Sequence, residues 1–159
     1  MHLRGISEST LGREGHLRRS AEILGHALAA MELLEAAPLH AQTSLAGRAA
    51  QGHLEGDVVL HLRVVTDRPI GLIAAILVRA GFDEPEFDSF EARAGSVGCG
   101  RLHRLLTARD GVPISVVRCP PSQVVPGRRD LVRGTPVATL DSQGLAARVA
   151  RLARGEDPF

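Results

Sequence analysis

The chain has 159 residues, 44% of them apolar, and a formal net charge of +1. That fits one domain with enough apolar content to bury a core, and it gives no general attraction to a polyanion. All 19 basic residues are arginine, and Lys, Asn, Tyr and Trp are absent, so a lysine Schiff base, a tyrosine acid and a Walker-type phosphate lysine are excluded.

Four Phe are the only aromatic residues, which leaves little from which to build a base-stacking surface, and nucleic acid is not expected as a partner. No apolar run approaches the roughly 20 residues that cross a bilayer. The start Met1-His2-Leu3-Arg4-Gly5 lacks the apolar centre of a secretory signal, so a cytoplasmic protein without a membrane segment is expected. The abundance of Ala, Arg and Gly is that of a GC-rich bacterial genome. Cys99 and Cys119 stand apart with no C-x-x-C spacing and read as two reduced thiols.

Residues 1–15 form a polar N-terminal segment. Leu17, Ala21, Leu24, Leu28 and Met31 then recur at steps of four and three, which predicts a helix over about 16–36, ending near Pro38. Such a stripe covers a sheet face or pairs with a second copy of itself. From Asp57 to Thr66, Val58, Leu60, Leu62 and Val64 alternate with the remaining residues, the period of a strand whose other face carries Asp57, His61 and Arg63. A helix follows, capped by Thr66 or Asp67, with Pro69 in its first turn and Gly81 as its stop; being apolar nearly all round, it is expected to lie deep between other elements.

Phe87 to Arg93 reads as a strand, and Gly95 to Gly100 as a mobile connection. Arg101 to Thr107 and Val112 to Arg118 are predicted to form a hairpin about Asp110-Gly111. Pro120, Pro121 and Pro126 are expected to end the sheet. Asp141 or Ser142 caps a closing helix through Leu145, Val149 and Leu152 to Gly155, and residues 156–159 are expected to form a loose tail.

The richest stretch is Ser44 to Leu62, where a small-residue turn and a glycine-bounded loop lead to an acid before a strand. The turn Leu45-Ala46-Gly47-Arg48, the run Asp57-Val58-Val59-Leu60, the later strand Gly111 to Val117 and the segment Thr135 to Asp141 resemble the minimal nucleotidyltransferases of the polymerase-beta-like superfamily, over about 40–152. The resemblance implies an α+β fold, a mixed or antiparallel sheet with flanking helices. It also implies Mg²⁺ and a nucleoside triphosphate as cofactors, a protein partner, and a site at Gly47, Arg48, Asp57 and Ser115, to which the strand's alternation adds His61 and Arg63; the regular stripe of the first helix leaves a homodimer as the other form of partner. Asp57 falls at the first of three expected acids, as the one catalytic and metal-binding candidate. Val59 and Ser115 stand at the other two.

A lone carboxylate does not fix two Mg²⁺ ions, and Arg48 attracts phosphate without activating a nucleophile. The sequence therefore points to a catalytically impaired protein that binds a nucleotide, a phosphate ligand or a protein partner. An active transferase with acids relocated to Glu55 or Asp67 is one alternative. Another is an ACT-like metabolite module opening at Val58 to Phe82, which requires a further helix before its last strand. The plain structural reading also stands: Asp57 opens a strand after a glycine turn, and His61 and Arg63 lie on a solvated strand face.

Overall fold

The computed structural model describes residues 2–94, 97–122 and 137–159, with side chains from residues 12–93, 100–122 and 137–159. The first helix, α1 (His2–Ala36), begins far ahead of the expected residue 16. The polar N-terminal residues continue the helix because no proline interrupts them and Arg, Glu and Leu favour it. The stripe is where the periodicity put it: Leu17, Leu24 and Met31 are buried, with Ala21 and Leu28 packed against the same core. Pro38 lies just past its end.

Strand β1 (Gln42–Ala46) follows and runs into a 3-10 turn at Arg48–Gln51. Strand β2 spans Leu60–Val65, shorter at its start than the expected Asp57 to Thr66. Its ladder with the later strand opens at Leu60, and Gly56 turns the chain at φ 72° just upstream, so Asp57 precedes the strand.

Helix α2 (Ile70–Arg79) stops at Gly81, φ 96°, as expected. Its cap differs. Pro69 holds the cap position without a side-chain bond, and the Thr66 hydroxyl accepts from Arg68 N–H at 3.2 Å while donating to the Leu39 carbonyl at 2.7 Å. Ile73, Ala74 and Leu77 are buried, but Leu72 is 38% exposed, so α2 is an outer-layer helix rather than one enclosed on all sides.

Strands β3 (Glu86–Ala94), β4 (Val97–Arg109) and β5 (Val112–Cys119) form a meander. Asp110 (φ 50°) and Gly111 (φ 77°) make the left-handed two-residue turn that the Asp-Gly pair predicts. Most of the expected connection at 95–100 is the start of β4; Gly100, at φ 94°, sits at a register shift where Ala92 pairs with Gly100 and Arg93 with Gly98. Residues 95 and 96, Pro126, and Thr135-Pro136 lie outside the described residues. The sheet does not end at Pro120: a short strand β6 (Thr139–Asp141) pairs with β1 before helix α3 (Ser142–Ala153). Asp141 caps α3, its carboxylate accepting from Gly144 N–H at 2.7 Å.

Among the described residues the fold is α+β, a six-stranded mixed sheet in the order β3-β4-β5-β2-β1-β6 in which only β2 and β5 run parallel. No helix separates β4 from β5, which the Asp110-Gly111 turn joins directly. One face of the sheet (Leu45, Leu60, Leu62, Val64, Leu105, Ile114, Val116) packs with residues of all three helices in one core. Glu35 ties that layer together, accepting from the Thr43 hydroxyl of β1 at 2.6 Å and the Ser142 hydroxyl of α3 at 2.8 Å. The opposite face carries only a small apolar cluster around Ala92, Leu102, Val117 and Cys119. Alternation sends His61, Arg63 and Val65 to that second face. Residues 156–159 are not loose: Arg148 donates to the Pro158 carbonyl at 2.7 Å and its guanidinium lies 4.8 Å from the Phe159 ring centre.

Candidate anion-binding site

On the second face of the sheet, over which no described helix lies, the parallel pair β2/β5 sets the site. Register places His61 beside Ser115 and Arg63 beside Val117, and the antiparallel pairing with β1 places Ala46 beside His61. The chain then turns at Gly47, whose φ of 86° and ψ of −151° suit only glycine. A recess of about 150 Å³ results, lined by Gly47, His61, Arg63, Ser115 and Arg104 with the apolar Ala46, Leu62, Phe90, Val117 and Val137.

Four of the six sequence candidates therefore meet: Gly47, His61, Arg63 and Ser115. Arg48 and Asp57 do not join them. They line a second recess of about 190 Å³ with His53, Glu55 and Val59, and His61 stands at the border of both. The reason is local. The 3-10 turn carries Arg48 away from the sheet face, and Asp57 is exposed three residues before the first rung of β2. Val59 is likewise outside the strand and outside the first recess.

The Gly47 turn does not present its amide to a ligand, because Gly47 N–H donates to the Ala138 carbonyl at 2.9 Å. Its part is to shape the rim. Arg63 is only 9% exposed, an uncommon setting for an arginine. It stands close enough to Cys119 that its charge, with that of Arg118, opposes the upward push that burial gives the thiol's pKa. Ser115 is 2% exposed, and its hydroxyl has no hydrogen-bond partner among the described residues.

Arg104, on β4, was not among the sequence candidates. Its guanidinium is held in a two-pronged ion pair with Asp88 of β3, Nε to Oδ1 at 2.8 Å and Nη2 to Oδ2, and lies 5.4 Å from the Phe90 ring centre. The hydrogen bond to Arg104 holds the Asp88 carboxyl below its ordinary pKa and raises that of Arg104. The signal for Arg104 was in the sequence: counting back from the Asp110-Gly111 turn puts Arg104 opposite Val117 and Leu106 opposite Ser115, on the face of Ser115.

The recess does not suit the paired Mg²⁺ ions that the resemblance implies. Hard divalent cations are held by carboxylate oxygens, and among the described residues no Asp or Glu lines it. Nor does any described group of three or more His, Cys, Asp or Glu residues stand ready to hold a metal ion. Guanidinium, imidazole and hydroxyl groups instead favour an oxyanion.

No protein-family model matches the chain, and no curated protein matches it. Among the described residues no helix is long and apolar enough to cross a membrane.

Proposed function

We propose that the protein is a nucleotidyltransferase-like binding protein that holds a nucleotide or another phosphate ligand on the sheet face that no described helix covers and performs little or no nucleotidyl transfer. The observation that carries this reading is the donor set of the first recess: two arginines, a histidine and a buried serine around one glycine turn, with no acidic side chain among the described residues. Oxyanions are bound by such donors, whereas in-line phosphoryl transfer needs cations held at both the attacking and the leaving oxygen. A cytoplasmic, bacterial setting and a protein partner or second copy of the chain belong to the same proposal.

Isothermal titration with ATP, in Mg²⁺ and in EDTA, tests it; no heat at millimolar nucleotide in either buffer defeats the ligand reading. A second reading has its own observation. Glu55, one of the two acids expected for a relocated transferase centre, shares the second recess with Asp57, Arg48 and His53, while Asp67, the other, lines neither recess. Transfer from radiolabelled nucleotide that is lost in Asp57→Ala would favour that version, and transfer indifferent to the substitution would remove it.

A further inference from the structure

We infer that the first recess takes the phosphate group of its ligand free of metal, with Arg63 and Arg104 supplying the positive charge and the Ser115 hydroxyl a hydrogen bond. This rests on the phosphate-ligand reading above and names the ionic form of the ligand.

Three observations lead there. Ser115 Oγ is buried and unpartnered among the described residues while lining the recess. A buried hydroxyl left unpaired costs about 1–3 kcal/mol, and a ligand oxygen is the acceptor that removes this cost. Secondly, among the described residues the charged groups lining the recess are guanidinium groups, with the imidazole of His61 beside them. Arg104 is oriented from behind by Asp88 and flanked by Phe90, which fixes the plane in which a planar fork meets phosphate oxygens. A carboxylate placed behind the arginine orients it, whereas one facing the ligand would be needed to hold a cation. Thirdly, about 150 Å³ is many times the ~10–15 Å³ that one water requires and below the ~300–1,000 Å³ of sites that enclose a whole cofactor-sized molecule. The volume suits a phosphate group rather than a whole nucleotide.

Metal-free binding has a sign that can be read. Mg²⁺ chelates pyrophosphate and ATP and lowers the charge that two arginines attract, so it competes with the protein instead of assisting it. Calorimetric titration of the full chain with pyrophosphate and with ATP, each in EDTA and in excess Mg²⁺, is expected to give binding in EDTA that weakens severalfold when Mg²⁺ is added. Both ligands binding in EDTA would assign the site to the phosphate group itself, and pyrophosphate binding alone would assign it to the free anion.

Ser115→Ala is expected to weaken pyrophosphate binding severalfold while leaving the thermal midpoint of the ligand-free protein unchanged or higher, because the substitution removes an unpaired hydroxyl. A merely structural serine would show the reverse. Arg104→Gln is expected to lower affinity about tenfold, roughly 1.4 kcal/mol. Binding that requires Mg²⁺ would overturn the inference and leave the phosphate reading standing. Absence of binding in both buffers would overturn the phosphate reading itself. Unchanged affinity in a folded Ser115→Ala would remove the serine from the site.

Discussion

Ser115 and Cys119 lie four residues apart on β5, both turned to the sheet face that no described helix covers and both buried. Burial acts on Cys119 through its ionisation: it pushes the thiol pKa up, and the positive charges of Arg63 and Arg118 pull it only part of the way back. Since the thiolate is the reacting form, alkylation of Cys119 in a Cys99→Ser variant at about pH 8, near the ordinary thiol pKa of ~8.5, is expected to be far slower in the native protein than in denaturant. Equal rates would show that the thiol is open to reagent. The same shift has a stability sign. With a folded pKa above the unfolded one, the contribution is whole below the unfolded thiol pKa and is lost as pH rises through the folded value.

At the residue scale the sequence was readable where a side chain's face follows from strand alternation, as for His61, Arg63 and Ser115. It was not readable at Asp57. The apolar alternation of Val58 with Leu60 continues beyond the point where a partner strand is present, and only the β2/β5 register, a long-range fact, shows that the strand begins at Leu60. Arg48 was misplaced for a related reason, since a 3-10 turn rather than a phosphate loop follows Gly47.

At the scale of elements, the hairpin β3/β4 is joined on its open face by Asp88 and Arg104, directly opposite one another. The hydrogen bond from Arg104 holds Asp88 below its ordinary pKa, so the pair's contribution is present above the unfolded Asp pKa of ~3.9 and is lost as pH falls through the lower folded value. The Asp88 side chain is 41% exposed, and solvent screening keeps the pair's worth below ~1 kcal/mol. Titration of Asp88 followed by carboxyl carbon NMR is expected to give a midpoint under the ordinary value that returns to it in Arg104→Gln. One midpoint shared by both proteins would show that Arg104 is not the cause.

Elements with local punctuation were legible. The Asp-Gly turn, the Gly81 stop and the Asp141 cap each rest on residues adjacent in sequence. Strand β1 was not legible, because Gln42-Thr43-Ser44 carries little apolar pattern and the strand exists through its pairing with β2 and β6. The first turns of α1 were missed because a polar segment lacks the stripe by which an amphipathic helix is recognised.

Among the described residues the whole molecule is a sheet with helices packed on one face, and contacts distant in sequence close it. Glu35 is the clearest, since its carboxylate joins α1 to β1 through Thr43 and to α3 through Ser142, 107 residues away. Charge-assisted hydrogen bonds contribute more than neutral ones, but Glu35 is exposed and of its two bonds only the one to Thr43 is partly buried. Glu35→Ala is expected to lower the free energy of unfolding by about 0.5–1.5 kcal/mol in a urea titration, with Glu35→Gln less damaging because it keeps an acceptor. Loss of under a few tenths of a kcal/mol in both variants would show that the three elements are held by packing alone.

A second closure brings the end of the described chain against the loop that follows the Gly47 turn. Gly52 has φ 87°, and a methyl group added there would sit 2.5 Å from the Phe159 ring, which the Arg148 guanidinium also contacts. Gly52→Ala therefore carries two separable costs. One is the left-handed backbone, about 1–2 kcal/mol for any residue with a Cβ, and the other is displacement of the ring. In a Phe159→Ala background only the first remains. The two substitutions are thus expected to be non-additive in a double-mutant cycle, the double variant being more stable than the sum of the single losses predicts. Strictly additive losses would mean that the ring yields to the methyl group at no cost, and Phe159 would then not anchor the 3-10 turn. A positive coupling would make the seating of Phe159 part of what fixes the Gly47 rim, and so would connect the chain's last residues to the shape of the recess around Ser115.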